Sequence, residues 1–380
     1  MSNNKDTYSN EPFGTPRTRT KRTFLGALFV IVLLSVTLSF SVALIIAYLT
    51  PYVSPTTFGS LTIVGIFAPI LYTAVLICML LWLVTKRWKT AIALIVLLLP
   101  GIFRISDFYN VELKRSVEAQ PDRRTVSLLS YNVRGFYDDD AVRVVDEYVD
   151  YFNAIENLDI VCLQEVQRDA RGIDRLDSLF MARYGRNCKS DVVEAGEVVL
   201  RTYSRYPIIA SGSISGAGRG TSQWLDVIVR NDTLRIFNNH LYTMNISAGD
   251  SEDIASGTIL NDGGRMRSIV DRIANNSSIR ASHVDTLRMV IDNTPYAHVI
   301  CGDFNDAPMS YVYGVLVDDK RDAFVEAGSG YGYTFRPMYG TLRIDYILHS
   351  NNLETKSYSV DTEVTLSDHL PITARMKFSK

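Results

Sequence analysis

Eight polar side chains in this sequence stand where apolar strands end, and their types suit work on a phosphate beside a hard cation. The clearest case is VICGDFNDAP, residues 299–308. Val299, Ile300 and Cys301 read as a buried strand, and beyond it Asp303 and Asn305 project to the same side of the extended chain. The event recurs. SLLSYN ends in Asn132, IVCLQE in Glu165 and RIFNNH in His240. RIDYI sets Asp345 between apolar neighbours, and SDHLP puts Asp368 beside His369 ahead of the last strand. An unpartnered buried charge costs several kcal/mol, so acids repeated at strand ends call for partners or a task.

If these ends meet at one rim, the inventory suits one chemistry. Glu165, with Asp368 and Asn132, offers hard oxygen ligands for Mg2+ or Mn2+. The four cysteines have no paired spacing, so neither a zinc site nor a disulfide framework is written here. Asp303 can orient or deprotonate a water. Asn305 and His240 can donate hydrogen bonds to phosphate oxygens. Asp345 can hold His369 protonated and oriented beside developing negative charge. A divalent cation would screen an anionic substrate from its nucleophile and stabilise the transition state.

The elements that must position these groups alternate between strand and helix patterns. Residues 126–132, 158–163, 297–301, 343–348 and 372–378 read as strands. Residues 140–157 and 265–292 carry helical spacing. The segments 225–229 and 234–237 form a hairpin around Asn231-Asp232. Both faces of these hairpin strands are apolar, which demands layers above and below. Hairpins mixed with helical crossovers indicate two packed sheets flanked by helices. Residues 242–264 read as a polar, acidic loop with few anchors. Arg134 reads as a solvated surface residue, and His283, His298 and His349 as core or surface.

In order, YNVRGF, LQEV, SRYPI, NNHL, GDFN, RIDYI and SDHLPI resemble the endonuclease/exonuclease/phosphatase superfamily over residues 126–373. The resemblance implies a four-layer α/β sandwich of two mixed β-sheets flanked by helices. It implies that Asn132 and Glu165 lie at the metal, with Glu165 a direct ligand and Asp368 completing the metal side. It also implies that His240 contacts the scissile phosphate, Asp303 positions the attacking water and Asn305 steadies the transition state. Asp345 and His369 form the acid–imidazole pair. Whether one metal or two take part, and whether Asp303 or His369 is the base, stay open at this point.

Ahead of this domain the composition changes. Residues 24–85 contain no Asp, Glu, Lys or Arg. Two uncharged runs, 24–49 and 58–85, exceed the roughly 20 residues that cross a bilayer as a helix, and a third run, 90–103, could cross if Lys89 and Arg104 snorkel. The organisation expected is a polar cytoplasmic tail (1–22), a membrane region of two to three helices (23–105), a linker (106–124) and a catalytic domain (125–380). Basic residues before the first run and at 86–89 place those segments inside. A third crossing then puts the catalytic domain outside the cytoplasm.

Residues 1–103 carry a net +6, and the remaining 31 basic and 39 acidic residues leave the rest at −8. An acidic domain gains little of the counterion-release affinity that drives nucleic-acid binding. The reading is a membrane-anchored, Mg2+-dependent phosphoesterase whose partners are a phosphoester, lipid-linked or small, and the lipid bilayer. No protein partner is inferred. The alternatives are a tethered nuclease for DNA or RNA and an inactive binding module.

Overall fold

A computed structural model describes residues 24–111, 124–138, 140–168, 170–195, 198–215, 220–245 and 248–379. The tail expected at 1–22 and most of the connector expected at 106–124 lie outside the described residues.

The first helix, α1, is Phe24–Leu49, and it is long and apolar enough to cross a membrane. Two short helices follow, α2 (Pro55–Phe58) and α3 (Leu61–Ile66), then α4 (Ala68–Val84) and α5 (Trp88–Ile102). The uncharged run 58–85 is therefore not one helix. Phe67 leaves helical geometry, and Pro69 fits the first turn of α4, where its missing N–H costs nothing. At 1.5 Å per residue α4 and α5 measure ~26 and ~23 Å. Trp82 Nε1 donates to Thr37 Oγ1 at one end of this bundle, while Tyr48 and Tyr72 hydroxyls donate to Leu97 and Leu98 carbonyls at the other. The helices therefore run up, down and up.

After a short strand β1 (Tyr109–Asn110), the domain builds two six-stranded sheets. The first uses β2 (Thr125–Asn132), β3 (Ile160–Gln167), β4 (Lys189–Ala195) and β5 (Val198–Ser204). The second uses β6 (Ile208–Ser215), β7 (Thr221–Val229), β8 (Asp232–His240), β9 (Ala297–Asp303) and β10 (Arg321–Asp322). The two-residue β11 (Gly330–Tyr331) pairs with β1. The second sheet gains β12 (Asp345–His349), and the first gains β13 (Leu353–Val360) and β14 (Ile372–Phe378). Their orders are β13-β14-β2-β3-β5-β4 and β10-β12-β9-β8-β7-β6. Each sheet holds one parallel pair, β2–β3 or β8–β9, between antiparallel neighbours.

Side-chain alternation explains the layers. Leu128 and Val299 point between the sheets, where they meet Ile160, Val227, Ile236 and Ile372. Their neighbours Leu129 and Ile300 point outward. Leu129 packs under α6 (Val145–Ala154) and α7 (Ile173–Tyr184) through Tyr148, Phe152 and Phe180. Past a further helix, α8 (Ala248–Ser256), the long α9 (Gly263–Asp292) and then α10 (Tyr311–Val317) cover Ile300 through Val284, Leu287 and Leu316. The result is the four-layer sandwich expected. Two short helices, α11 (Ala323–Ala327) and α12 (Pro337–Gly340), complete the elements.

Two differences from the sequence expectations have physical causes. The β7–β8 turn is Arg230-Asn231, one residue early, because Val229 pairs with Asp232 and Arg230 takes a φ of 62°. The loop at 242–264 is anchored. It contains α8, buries Asp250 against Arg265 and Arg272, and packs Ile254 and Ile259 into an apolar cluster. Asp250 and Asp253 are thus partners of arginines from α9 rather than part of a solvated run.

Candidate active site

The parallel pair of each sheet ends at one rim. In the second sheet, His240 on β8 is register partner to Asp303 on β9, and Asp303 to Asp345 on β12. Three titratable groups thus sit side by side on adjacent strands. Gly302 makes that fit possible. Its φ is 122°, and a Cβ there would lie 2.0 Å from the Asn239 carbonyl oxygen.

In the first sheet, Asn132 closes β2. Glu165 sits in β3 where the register to β5 slips between Leu163 and Val166, and its φ is 54°. The bulge aims its side chain out of the ladder and over the rim. The loop bearing Asp368 and His369 is pinned by Ser367 Oγ, which donates to the Asn132 carbonyl at 2.8 Å, and Phe335 bridges to His369.

Glu165, Asp303, Asn305, Asp368 and His369 line one cavity of about 130 Å3. Asn132, His240 and Asp345 reach it from behind. Asn132 Nδ2 donates to Glu165 Oε1 and to Asp303 Oδ2, both at 3.0 Å. Asn305 donates its backbone N–H to Asp303 Oδ1 at 2.8 Å and its amide to Asp303 Oδ2 at 2.9 Å. His369 Nδ1 bonds Asp345 Oδ2 at 2.9 Å, leaving Nε2 3.7 Å from Asp303 Oδ2. His240 Nε2 stands 3.3 Å from Glu165 Oε1 and 3.7 Å from Asp303 Oδ2, without a well-directed hydrogen bond to either. The structure therefore brings all eight side chains to one place. Arg134 is half exposed, with Nε 3.6 Å from Asp368 Oδ2.

Glu194, near the tip of the β4–β5 hairpin, was not foreseen. Its Oε1 makes a short contact with His240 Nδ1. An acid beside a hairpin turn carries no strand-end signature, and only the folding of the hairpin over β8 delivers it. Glu194–His240 and Asp345–His369 make two imidazole–carboxylate pairs facing each other across Asp303.

Electrostatics separates the groups. Burial favours a neutral ring at His369, but Asp345 and Asp303 outweigh it and push the imidazole up to about 10. At His240 burial is likewise overcome, by Glu194 and Glu165, and the ring is held well above its ordinary value. Burial raises the Asp303 carboxyl above the usual range, against the pull of His369. Burial opposes ionisation at Glu165 too, yet His240 and Asn132 bring that carboxyl down to about 2.

The donor set fits a divalent cation. Glu165, held ionised, and Asp368 both line the cavity, so two carboxylates are available to an ion there without calling on the protonated His240. Oxygen-rich sites of this kind suit Mg2+, Mn2+ or Ca2+.

A family model described as "Endonuclease/Exonuclease/phosphatase family" matches residues 129–369. The chain belongs to the endonuclease/exonuclease/phosphatase family. Members of the family hydrolyse phosphoester bonds and are typically divalent-metal dependent, so this chain is a hydrolase of that general class. A second model, a domain of unknown function (DUF8431), matches residues 27–108. No curated protein matches the chain. Similar solved structures include an endonuclease/exonuclease/phosphatase from Beutenbergia cavernae DSM 12333, 20% identical, covering 67% of this chain and 72% of that one with a TM-score of 0.49. The human Nocturnin catalytic domain with bound sulfate is 16% identical over 68% of this chain and 96% of that chain, with a TM-score of 0.49. TDP2 from Caenorhabditis elegans is 18% identical over 67% and 74%, with a TM-score of 0.46.

Proposed function

We propose that this family member is a membrane-anchored, divalent-metal-dependent phosphoesterase acting on a phosphoester at the outer surface of the bilayer. The observation that carries the reading is the convergence of Glu165, Asp303, Asn305, Asp368 and His369 on one cavity. When bound by Glu165 and Asp368, with Asn132 fixing Glu165, Mg2+ or Mn2+ supplies charge neutralisation at the phosphate.

The chain's own groups do the rest. His369 carries its proton at neutral pH, so it donates from Nε2 to a phosphate oxygen rather than accepting. The base is therefore Asp303, whose Oδ2 orients and deprotonates the attacking water. Asn305 and Asn132 hold that carboxylate in place through three hydrogen bonds. His240, oriented by Glu194, approaches the phosphate site from behind Glu165 and Asp303.

The anchoring half of the proposal rests on α1, α4 and α5. Thr50, just past α1, donates to the Met309 carbonyl, and past α5 Arg343 donates to the Asp107 carbonyl. Both helix ends thus meet the catalytic domain, while the basic turn at 86–89 lies at the far end of the bundle. We read this as three crossings with the catalytic domain extracytoplasmic.

The test uses the full chain in lipid nanodiscs with 4-nitrophenyl phosphodiesters and phosphomonoesters and with plasmid DNA. Hydrolysis that EDTA abolishes and Mg2+ or Mn2+ restores is expected. Full activity in both Asp303→Ala and His369→Ala would overturn the site. DNA cleavage in preference to every small ester would favour a nuclease. Reporter fusions after residues 54 and 110 should read outside and one after 88 inside.

A further inference from the structure

A second cavity, about 330 Å3, lies beside the catalytic one. Ile63, Ile66 and Phe67 form one wall, at the end of α3, and Ile254, Ile269 and Ile273 form the other, from α8 and α9. Among its lining side chains none is polar. One apolar cluster joins the two cavities: Ile66, Ile269 and Ile273 pack with Met244, Leu342 and Ile344, which themselves line the catalytic cavity. At its other end the groove reaches Phe67, the residue just before α4, and Ile70 in the first turn of α4 is exposed. The apolar lining therefore continues, through packed side chains, from the foot of α4 to the edge of the phosphate site.

From this continuity we infer that the groove between α3 and α8–α9 binds a hydrocarbon chain of the substrate, which makes the substrate a lipid phosphoester. The inference rests on the phosphoesterase reading above. A lipid whose chain lies in the groove would present its phosphate to Asp303 and His369 without leaving the membrane surface. It also explains why residues 50–66 turn aside from the bundle: they supply the wall. Gly65 is part of that docking, since a Cβ there would fall 2.0 Å from the Met309 carbonyl oxygen.

The probes are methyl, octyl and dodecyl 4-nitrophenyl phosphate, offered with Mg2+ or Mn2+ to the full chain in nanodiscs. We expect kcat/KM to rise about tenfold or more from methyl to octyl, because added methylenes leave water. Val270→Trp, which fills the groove, should collapse that octyl-to-methyl ratio towards one. A dodecyl ester with a diazirine at its chain end should label residues 254–273. Equal kcat/KM for all three esters, or labelling confined to α1, α4 and α5, overturns the inference. Hydrolysis without chain dependence sinks the groove and leaves the phosphoesterase standing. Labelling of 254–273 with no hydrolysis under any divalent ion does the reverse. If Val270→Trp fails to fold, labelling of the unaltered chain decides.

Discussion

The two imidazole–carboxylate pairs differ in how they are built. Asp345 and His369 come from a strand and a loop that meet at the rim, both buried, at 2.9 Å. Glu194 and His240 join a hairpin tip to a strand end, and the histidine also faces the acid of the opposite sheet. In the first pair Asp345 is register partner of Asp303 and its backbone N–H is held by Thr334 Oγ1, while His369 lies in the β13–β14 loop that Ser367 ties to β2. Both pairs cross from one sheet to the other, and the second does so at the tip of the β4–β5 hairpin. The same chemical unit is thus carried by a loop tied down through a side-chain hydrogen bond on one side of the phosphate site and by a hairpin tip on the other.

The comparison can be broken at its centre. Asp303→Asn removes the group both pairs face and should lower kcat by about 10³-fold or more, as loss of a general base does. Next, His369→Gln should cost about 10²–10³-fold, with KM changing less, if the imidazolium acts in the transition state. Asp345→Asn should be milder, about 10–100-fold. It should also bring the alkaline limb of kcat/KM below pH 10, because losing the carboxylate lowers the His369 pKa. Glu194→Gln should cost least, about tenfold, and its deficit should grow when hairpin packing is loosened. Equal losses in Asp345→Asn and Glu194→Gln would erase the distinction between the pairs.

A stability measurement sharpens the same point. In metal-free protein the folded His369 ring titrates at about 10, above the ordinary 6.5. Its contribution to stability is therefore fully present below pH 6.5 and is lost as pH rises towards 10. His283 offers the contrast: burial takes it down to about 4, and its hydrogen bond is to Ser222 rather than to an acid. Thermal melts from pH 6 to 10 should show a decline in the wild type that His369→Gln reduces and His283→Gln leaves intact.

The legible parts of the site share one property. Asn132, Glu165, His240, Asp303 and Asp345 each end or enter a strand whose apolar alternation is plain, so the sequence reveals both the element and the break in its pattern. The two-sided apolar character of 225–229 likewise betrayed the layers. Glu194 was hidden because its role arises from tertiary approach alone. The interruption at Phe67 was hidden for another reason: hydropathy records that residues 58–85 avoid water, but both lipid and a protein wall satisfy that demand. The acids of 242–264 misled in the opposite sense, since Asp250 is buried by arginines from α9.

The docking of residues 50–66 has a practical consequence for anyone who wishes to study the hydrolase alone. A fragment starting at residue 106 would strip Ile66 from Ile269 and Ile273 and uncover Met309, three residues beyond Asp306 of the GDFND loop. It would present a greasy seam to water on the very side that carries Asn305. Such a fragment should precipitate or demand detergent, although none of its described helices is long and apolar enough to cross a bilayer.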